Sequence, residues 1–382
     1  MTPAHSSFEN SEDENPMTIA ATKLSTQLER EQQNAIASKI SNPPCILTQH
    51  RELRTAMESG DTIVYPASPP SSILHKEDKC LTSQQLVMNL YLRPSNQADR
   101  RKEKDRQQRL HYLLKLIWKG IYRPNLKDPS VIVNWCCGVG LWNMEMATLF
   151  PNTRVIGVDF KEATLLNSHY GLPNLEFKYV VIHDRITGLE SFEPNSVDYF
   201  MMRDCWLMNA PVYKWDNVLK EAYRILKPGG FIQIEEHSLY LMSKSSGIRL
   251  LNTYFENFFA ELQVDRRIST KLENHLLTAG FIDVDRRSIA IPLGEWGSTE
   301  CLRETGYLAR DLIERRIRGL RRWVCDTNGI SEEKFDAVTT QVMEIELNNQ
   351  PSYIDWNSYI AQKPGTNIHV TRPSTILAAG QF

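Results

Sequence analysis

The residues best suited to chemistry are clustered in Asn134-Trp135-Cys136-Cys137-Gly138-Val139-Gly140-Leu141-Trp142. Two glycines one residue apart, between an apolar strand-like run and a helix-like run, let the backbone turn tightly and come close to a ligand. Asp159 stands nineteen residues past Gly140, at the end of the next apolar run, where a carboxylate can take both hydroxyls of a ribose. Asp184 follows a third such run in VVIHDRI and is placed to meet the amino group of an adenine. Asp204, beside Arg203, and His237 end two further runs and are candidate bases for an acceptor's proton; caps at strand ends are the plainer alternative for both. Cys136 and Cys137 are adjacent and lack the C-x-x-C spacing of a zinc site, so no metal is expected. Position 143 is Asn, so the third glycine of the dinucleotide fingerprint is missing, which ranks a dehydrogenase last.

These residues need strands that end side by side. VIVNW, RVIGVDF, LEFKYVV, VDYFMMR and FIQIEE are short, apolar and rich in β-branched or aromatic residues, and helical periodicity fills the stretches between them. That alternation predicts a doubly wound, mostly parallel α/β sheet, whose ligands bind at the carboxyl ends of the strands. The stripe Val212, Trp215, Val218, Leu219, Ala222, Tyr223 and Leu226 predicts a helix that stops at Lys227-Pro228-Gly229-Gly230. Two more helices are expected over 248–262 and 271–279. FIDVD and SIAIPL, on either side of Arg286-Arg287, are expected to form an antiparallel pair closing the sheet. Before the sheet, Leu110, Leu113, Leu114 and Ile117 share one face of a helix over 99–118. After it, a helix over 302–324 carries Arg310, Arg315, Arg318, Arg321 and Arg322 on what is expected to be a solvated face. Trp118, Trp135, Trp142 and Trp206 could stack on an adenine or an aromatic acceptor, but their helical and strand spacings are those of core residues.

Composition narrows the class further. The 382 residues are 41% hydrophobic, enough to build a substantial core. The net charge of -2 gives no ground for expecting nucleic acid or an anionic membrane as partner. Seven unframed cysteines suggest reduced thiols and hence a cytoplasmic protein, with the nucleus as alternative. No run approaches the ~18 apolar residues of a membrane span. Residues 1–80 are expected to be a mostly disordered polar arm, 81–128 a helical cap, 129–295 the core, 296–365 a helical extension and 366–382 a tail.

Taken in order, the strand, G-x-G turn, helix, strand ending in Asp, strand followed by Asp, and helix-LKPGG-strand resemble the S-adenosylmethionine-dependent methyltransferases of the seven-strand Rossmann-like type. Within them the chain looks most like the fungal branch of LaeA-like regulators of secondary metabolism. This finer likeness is carried by DRQQRLHYLLK, Trp142, MEMATLFPNTRVIGVDF, EAYRILKPGGFIQIEE, AGFIDVDRRSIAIPLGEWG and SYIDWNSYIAQKP, and the whole spans about residues 100 to 365. The resemblance implies S-adenosyl-L-methionine as cofactor and a small molecule or protein as methyl acceptor. It implies a sheet of seven strands whose last pair is antiparallel. It further implies that Asn134, Cys136, Gly138 and Gly140 hold the methionine part and that Asp159 and Phe160 flank the ribose. Asp184 and Arg185 would hold adenine, Arg203 would line the sulfonium end, and Arg106 and His111 would lie on a covering helix. The family's usual acid is Asn134 here and its first glycine is Cys136. That departure grounds a second expectation, a non-catalytic descendant of the fold that binds a regulatory protein partner.

Overall fold

Val131–Trp135 (β1) has four of its five residues buried, because it lies between two parallel neighbours and has no solvent face. The structure, a computed structural model, describes residues 97–160, 171–180, 187–209 and 214–365. Helix α1 (Gln97–Trp118) precedes β1. Then follow α2 (Leu141–Leu149), β2 (Arg154–Asp159), β3 (Leu175–Tyr179), β4 (Val197–Arg203), α3 (Lys214–Ile225), β5 (Leu226–His237), α4 (Ser246–Glu261), α5 (Ile268–Thr278) and β6 (Ile282–Pro292). The chain continues as α6 (Glu300–Gly319), α7 (Arg321–Asn328), α8 (Glu332–Gln341), a π-helical turn (Val342–Glu346), the short α9 (Leu347–Asn349) and β7 (Tyr353–Gln362).

The seven strands form one sheet in the order β3-β2-β1-β4-β5-β7-β6. Strands β1 to β5 run parallel, and β7 lies antiparallel between β5 and β6. The expected fold class holds, and the parallel strands direct their carboxyl ends to one edge of the sheet. Under that edge Ile132, Trp142, Met146, Ala147, Val155, Tyr199 and Met201 pack into one buried cluster. Trp142 Nε1 donates to the Ile121 carbonyl at 2.7 Å, which ties α2 to the segment entering β1. Among the described residues no helix is long and apolar enough to cross a membrane.

Three expectations need correction. FIDVD and SIAIPL are not two strands: 282–292 is one strand with a register shift between Ile282 and Asp285, and its antiparallel partner is Tyr353–Gln362. No turn residue separates the two runs, and an edge strand tolerates the charge of Arg286 and Arg287. Consequently the core does not end at 295; 353–362 is an inner strand, and the helices between Glu300 and Asn349 are inserted between β6 and β7. Finally, the expected helix over 302–324 breaks at Leu320, after Gly319, into α6 and α7. The 1–80 arm, the 366–382 tail, Asp184 and Arg185 lie outside the described residues.

Candidate functional site

The turn after β1 is built by three left-handed residues, Cys136 (φ 57), Gly138 (φ 57) and Gly140 (φ 74). Gly140 is the N-cap of α2. Only glycine takes this conformation without steric cost, so Cys136 carries strain that Gly138 and Gly140 do not. Cys137 follows β1 and donates its N–H to the Val158 carbonyl at 3.2 Å. Gly157 makes room beneath: a Cβ there would meet the Cys137 thiol at 2.8 Å and the Phe177 ring at 2.6 Å.

All three backbone N–H groups at the tip of the turn have partners within the protein. Gly138 donates to Asp159 Oδ2 at 2.7 Å, Val139 to Gln107 Oε1 at 3.0 Å and Gly140 to the Cys137 carbonyl at 3.0 Å. Asp159 Oδ1 accepts the Phe160 N–H at 2.7 Å. Asp159 is thus 2% exposed and braces the turn; it does not line the cavity described next. Sequence reasoning missed Gln107, whose helical register marks it only as a polar residue on α1.

The turn opens on a cavity of about 940 Å³. Its walls include Asn134, Cys136, Gly138 and Arg203 from the sheet edge, Arg106, Gln107 and His111 from α1, and Arg315 and Arg316 from α6. The arginine face of the 302–324 segment is therefore turned toward the cavity, contrary to the expectation of a plain solvated face. Helices α1 and α6 are tied together over it by Arg315 to Asp105 at 3.2 Å and Arg109 to Asp311 at 3.5 Å. Trp142 and Trp206 line the cavity and are also buried, so the core reading of these indoles holds.

A chain of charged groups crosses the cavity. Glu103 receives two hydrogen bonds from Arg106 at 2.8 Å each, and Arg106 lies 3.5 Å from Asp204 Oδ2. Arg316 donates to the same Asp204 oxygen and to His237 Nε2. Asp204 is in a left-handed conformation (φ 54), unusual for a residue other than glycine and a mark of a constrained site. Burial alone would raise the proton affinity of Asp204, but Arg316, His237 and Arg106 outweigh it and hold the carboxyl well below the usual carboxylate range. A carboxylate so stabilised is a poor base. His237 Nδ1 lies 2.6 Å from the Ser238 carbonyl, which can only accept, so Nδ1 carries the proton and Nε2 receives Arg316. Burial, then Arg316, lowers the His237 pKa, and its ring is not part of the cavity wall. The geometry makes both residues anchors for Arg316.

A second chain runs behind it. Arg203 Nε donates to Glu235 at 2.6 Å, and Arg203 Nη1 lies 3.3 Å from His111 Nδ1. His111 Nε2 lies 3.3 Å from Glu145 on α2. Burial first, then the Arg203 guanidinium, lowers the His111 pKa to about 4, which keeps the ring neutral at physiological pH. Asn134 donates its amide to Asn143 Oδ1 at 2.8 Å. The structure thus gathers Asn134, Cys136, Gly138, Arg203 and Asp204 around one cavity. It sets Gly140, Asp159, Phe160 and His237 behind its wall. Among the described residues no group of three or more His, Cys, Asp or Glu is arranged to hold a metal ion.

The strand order and the glycine turn at its switch point define a Rossmann-like α/β fold. Residues 132–230 match the family model for a methyltransferase domain. The chain is 22% identical over 276 residues to methyltransferase pytC of Aspergillus terreus, covering 69% of this chain and 82% of the relative. It is 21% identical over 231 residues to methyltransferase cpsF of Aspergillus campestris, covering 57% and 80%. Among solved structures it is similar to phosphoethanolamine N-methyltransferase 2 of Haemonchus contortus, with a TM-score of 0.40, 20% identity, and coverage of 74% of this chain and 56% of that one.

Proposed function

We propose that the protein is an S-adenosyl-L-methionine-dependent methyltransferase of the cytoplasm or nucleus that acts on a small molecule or a protein. The observation that carries this reading is the glycine turn 136–140, which lies at the carboxyl ends of β1 and β2 and opens on the cavity, within the segment matched by the methyltransferase domain. The two Aspergillus relatives are compatible with the LaeA-like branch and a place in secondary metabolism.

In this reading the cofactor supplies a methyl group activated on a sulfonium. Gly138 and Gly140 let the backbone pass close to its amino-acid end. The resemblance assigns Asp159 and Phe160 to the ribose, Asp184 and Arg185, which lie outside the described residues, to the adenine, and Arg203 to the sulfonium side. The residues fit an amino-acid tail because a buried Arg203 nitrogen without a partner among the described residues lines the cavity beside Asn134. Helices α1 and α6 wall off the acceptor side, and the Arg316–Asp204 pair fixes their spacing to the sheet. In-line methyl transfer requires chiefly alignment and exclusion of water, which such a wall provides. Calorimetric titration with S-adenosylhomocysteine, with NAD as control, tests the reading. Binding of the first and not the second is expected; binding of neither would favour the regulatory descendant, and binding of NAD would reinstate the dehydrogenase.

A further inference from the structure

We propose that the first three turns of α1 form a flap over the cavity, latched to α6 by a ring of four charges, and that ligands enter and leave when this flap lifts. The identity of the ligand rests on the proposed function; the flap does not.

The run from Asp99 to Arg109 is DRRKEKDRQQR and holds no apolar residue. Apolar anchoring of α1 starts at Leu110 and continues through Leu113, Leu114 and Ile117, all buried. Yet Lys102, Glu103, Arg106 and Gln107, all before that anchor, are among the residues that wall the cavity. A segment with little apolar burial loses little on opening and belongs to the low-stability end of a molecule. Its closure rests on polar contacts.

Those contacts sort by length. Within α1, Glu103 accepts from Arg106 twice and from Gln107, each at 2.8 Å, and Asp105 accepts from Arg109 at 2.9 Å. Across the cavity, Arg109 lies 3.5 Å from Asp311, Arg315 lies 3.2 Å from Asp105, and Arg106 lies 3.5 Å from Asp204. The Val139 N–H reaches Gln107 at 3.0 Å. Arg315 also holds Asp311 at 2.8 Å within α6. Asp105, Arg109, Asp311 and Arg315 thus close a ring of alternating sign. In it each arginine has a short bond to a carboxylate of its own helix and a longer one to the other helix. When α1 lifts, no charge of the ring is stranded, so opening avoids the penalty of splitting a buried pair. Helix α6 stays behind, because Arg316 is held by buried Asp204 and by His237. The four ring side chains are 29% to 43% exposed, within reach of dissolved salt.

Lifting the flap frees one particular amide. The Val139 N–H is held by Gln107 of α1, whereas its neighbours Gly138 and Gly140 donate to Asp159 and to the Cys137 carbonyl, which do not belong to α1. Deuterium exchange at Val139, resolved to single residues by mass spectrometry, therefore reports opening, with Gly138 and Gly140 as internal controls. Raising salt from about 0.05 to about 0.5 M shortens the screening length roughly threefold; it is expected to speed exchange at Val139 in the wild type and to leave both glycines unchanged. Asp105→Arg with Arg109→Asp keeps the pair within α1 but sets like charges against α6 at both crossings. Exchange at Val139 should rise about tenfold, the size of two surface pairs turned from attraction to repulsion, and salt should now slow it. Adding Asp311→Arg with Arg315→Asp restores both crossings and should bring the rate to within about threefold of wild type. The dissociation rate of S-adenosylhomocysteine, followed by the fluorescence of Trp142 and Trp206 in the cavity wall, is expected to keep the same order. Circular dichroism verifies that each variant folds. Exchange at Val139 that ignores both salt and the first pair of changes would overturn the flap. So would equal acceleration at Gly138 and Gly140, or a fourfold variant that does not recover. One dissociation rate in all three proteins would overturn the flap as the route for ligands. A wild type that binds no S-adenosylhomocysteine would refute the proposed function and that route together, while exchange at Val139 would still decide the flap.

Discussion

Gln107 lies across Gly138: its Oε1 accepts the Val139 N–H at 3.0 Å and occupies the space a Cβ on Gly138 would enter. Gly138→Ala must therefore both adopt a left-handed φ and push the carboxamide aside. A loss of about 1–2 kcal/mol is expected from the backbone conformation, with a further contribution from the displaced hydrogen bond. In a double-mutant cycle by urea unfolding, Gly138→Ala with Gln107→Ala should cost less than the sum of the single changes. Strict additivity would show that the two residues do not compete for that space.

Cys136 has the opposite problem. Its φ of 57 is strained for a residue with a Cβ, and the Cys136 thiol is held protonated by burial and by the neighbouring Cys205. Cys136→Gly relieves the strain and should keep or improve affinity for S-adenosylhomocysteine, with stability changed by no more than about 1 kcal/mol. A variant that binds several-fold more weakly would mean that the thiol itself contacts the ligand.

Arg316 is the partner on which buried Asp204 depends. Arg316→Ala leaves the carboxylate, among the described residues, with Arg106 at 3.5 Å, because His237 Nε2, 3.4 Å from Asp204 Oδ1, carries no proton to donate. Breaking a buried pair from one side typically costs about 3–5 kcal/mol. Adding Asp204→Asn removes the stranded charge and should restore part of that stability, as read by denaturant midpoint. No recovery in the double variant would contradict the assignment of Arg316 as counter-ion.

The pH dependence follows from His111. Its folded pKa of about 4 lies below the usual value of 6.5, so the unfolded chain binds the proton first as pH falls. Stability from this group is complete above about pH 6.5 and is lost between 6.5 and 4. At about 1.36 kcal/mol per unit the full window is worth roughly 3 kcal/mol. His237, also lowered, adds a slope of the same sign. His111→Gln should flatten, without abolishing, the fall in stability between pH 6.5 and 4.5; Glu236, whose carboxyl pKa is pushed up by burial and by Asp204, adds a slope of the opposite sign that the substitution leaves in place. An unchanged slope would mean that His111 titrates normally in the folded protein.

The sheet could be read from the sequence because its central strands are buried on both faces, and runs such as VIVNW have no other favourable use. The glycine turn was legible for the same local reason. The β6 strand was misread because Arg286-Arg287 looks like a break, whereas an edge strand tolerates charge; Arg286 in fact bonds Asn357 of β7 at 2.9 Å and 3.0 Å. The inner position of 353–362 depends on a pairing across some sixty intervening residues that no local pattern encodes. Arg316 was invisible for a related reason: within an arginine-rich helix every guanidinium looks alike, and only the fold brings this one to Asp204. Gln107 was missed because periodicity tells which face of α1 is buried and not what a polar side chain reaches. The two carboxylates also differ. Asp159 was identified by its position at a strand end, but its grip on the Gly138 N–H was not foreseeable.

Thermal unfolding of the wild type and of Asp159→Ala, with and without S-adenosylmethionine, tests the central claim most directly. At about 100 times its dissociation constant a native-state ligand adds about 2.7 kcal/mol, which should raise the wild-type midpoint by a few degrees. Asp159→Ala, which loses the brace at 2.7 Å on the Gly138 N–H, should melt earlier and show little or no shift. A wild type whose midpoint does not move at millimolar ligand, or a variant that shifts as far as the wild type, would contradict a cofactor seated on this turn.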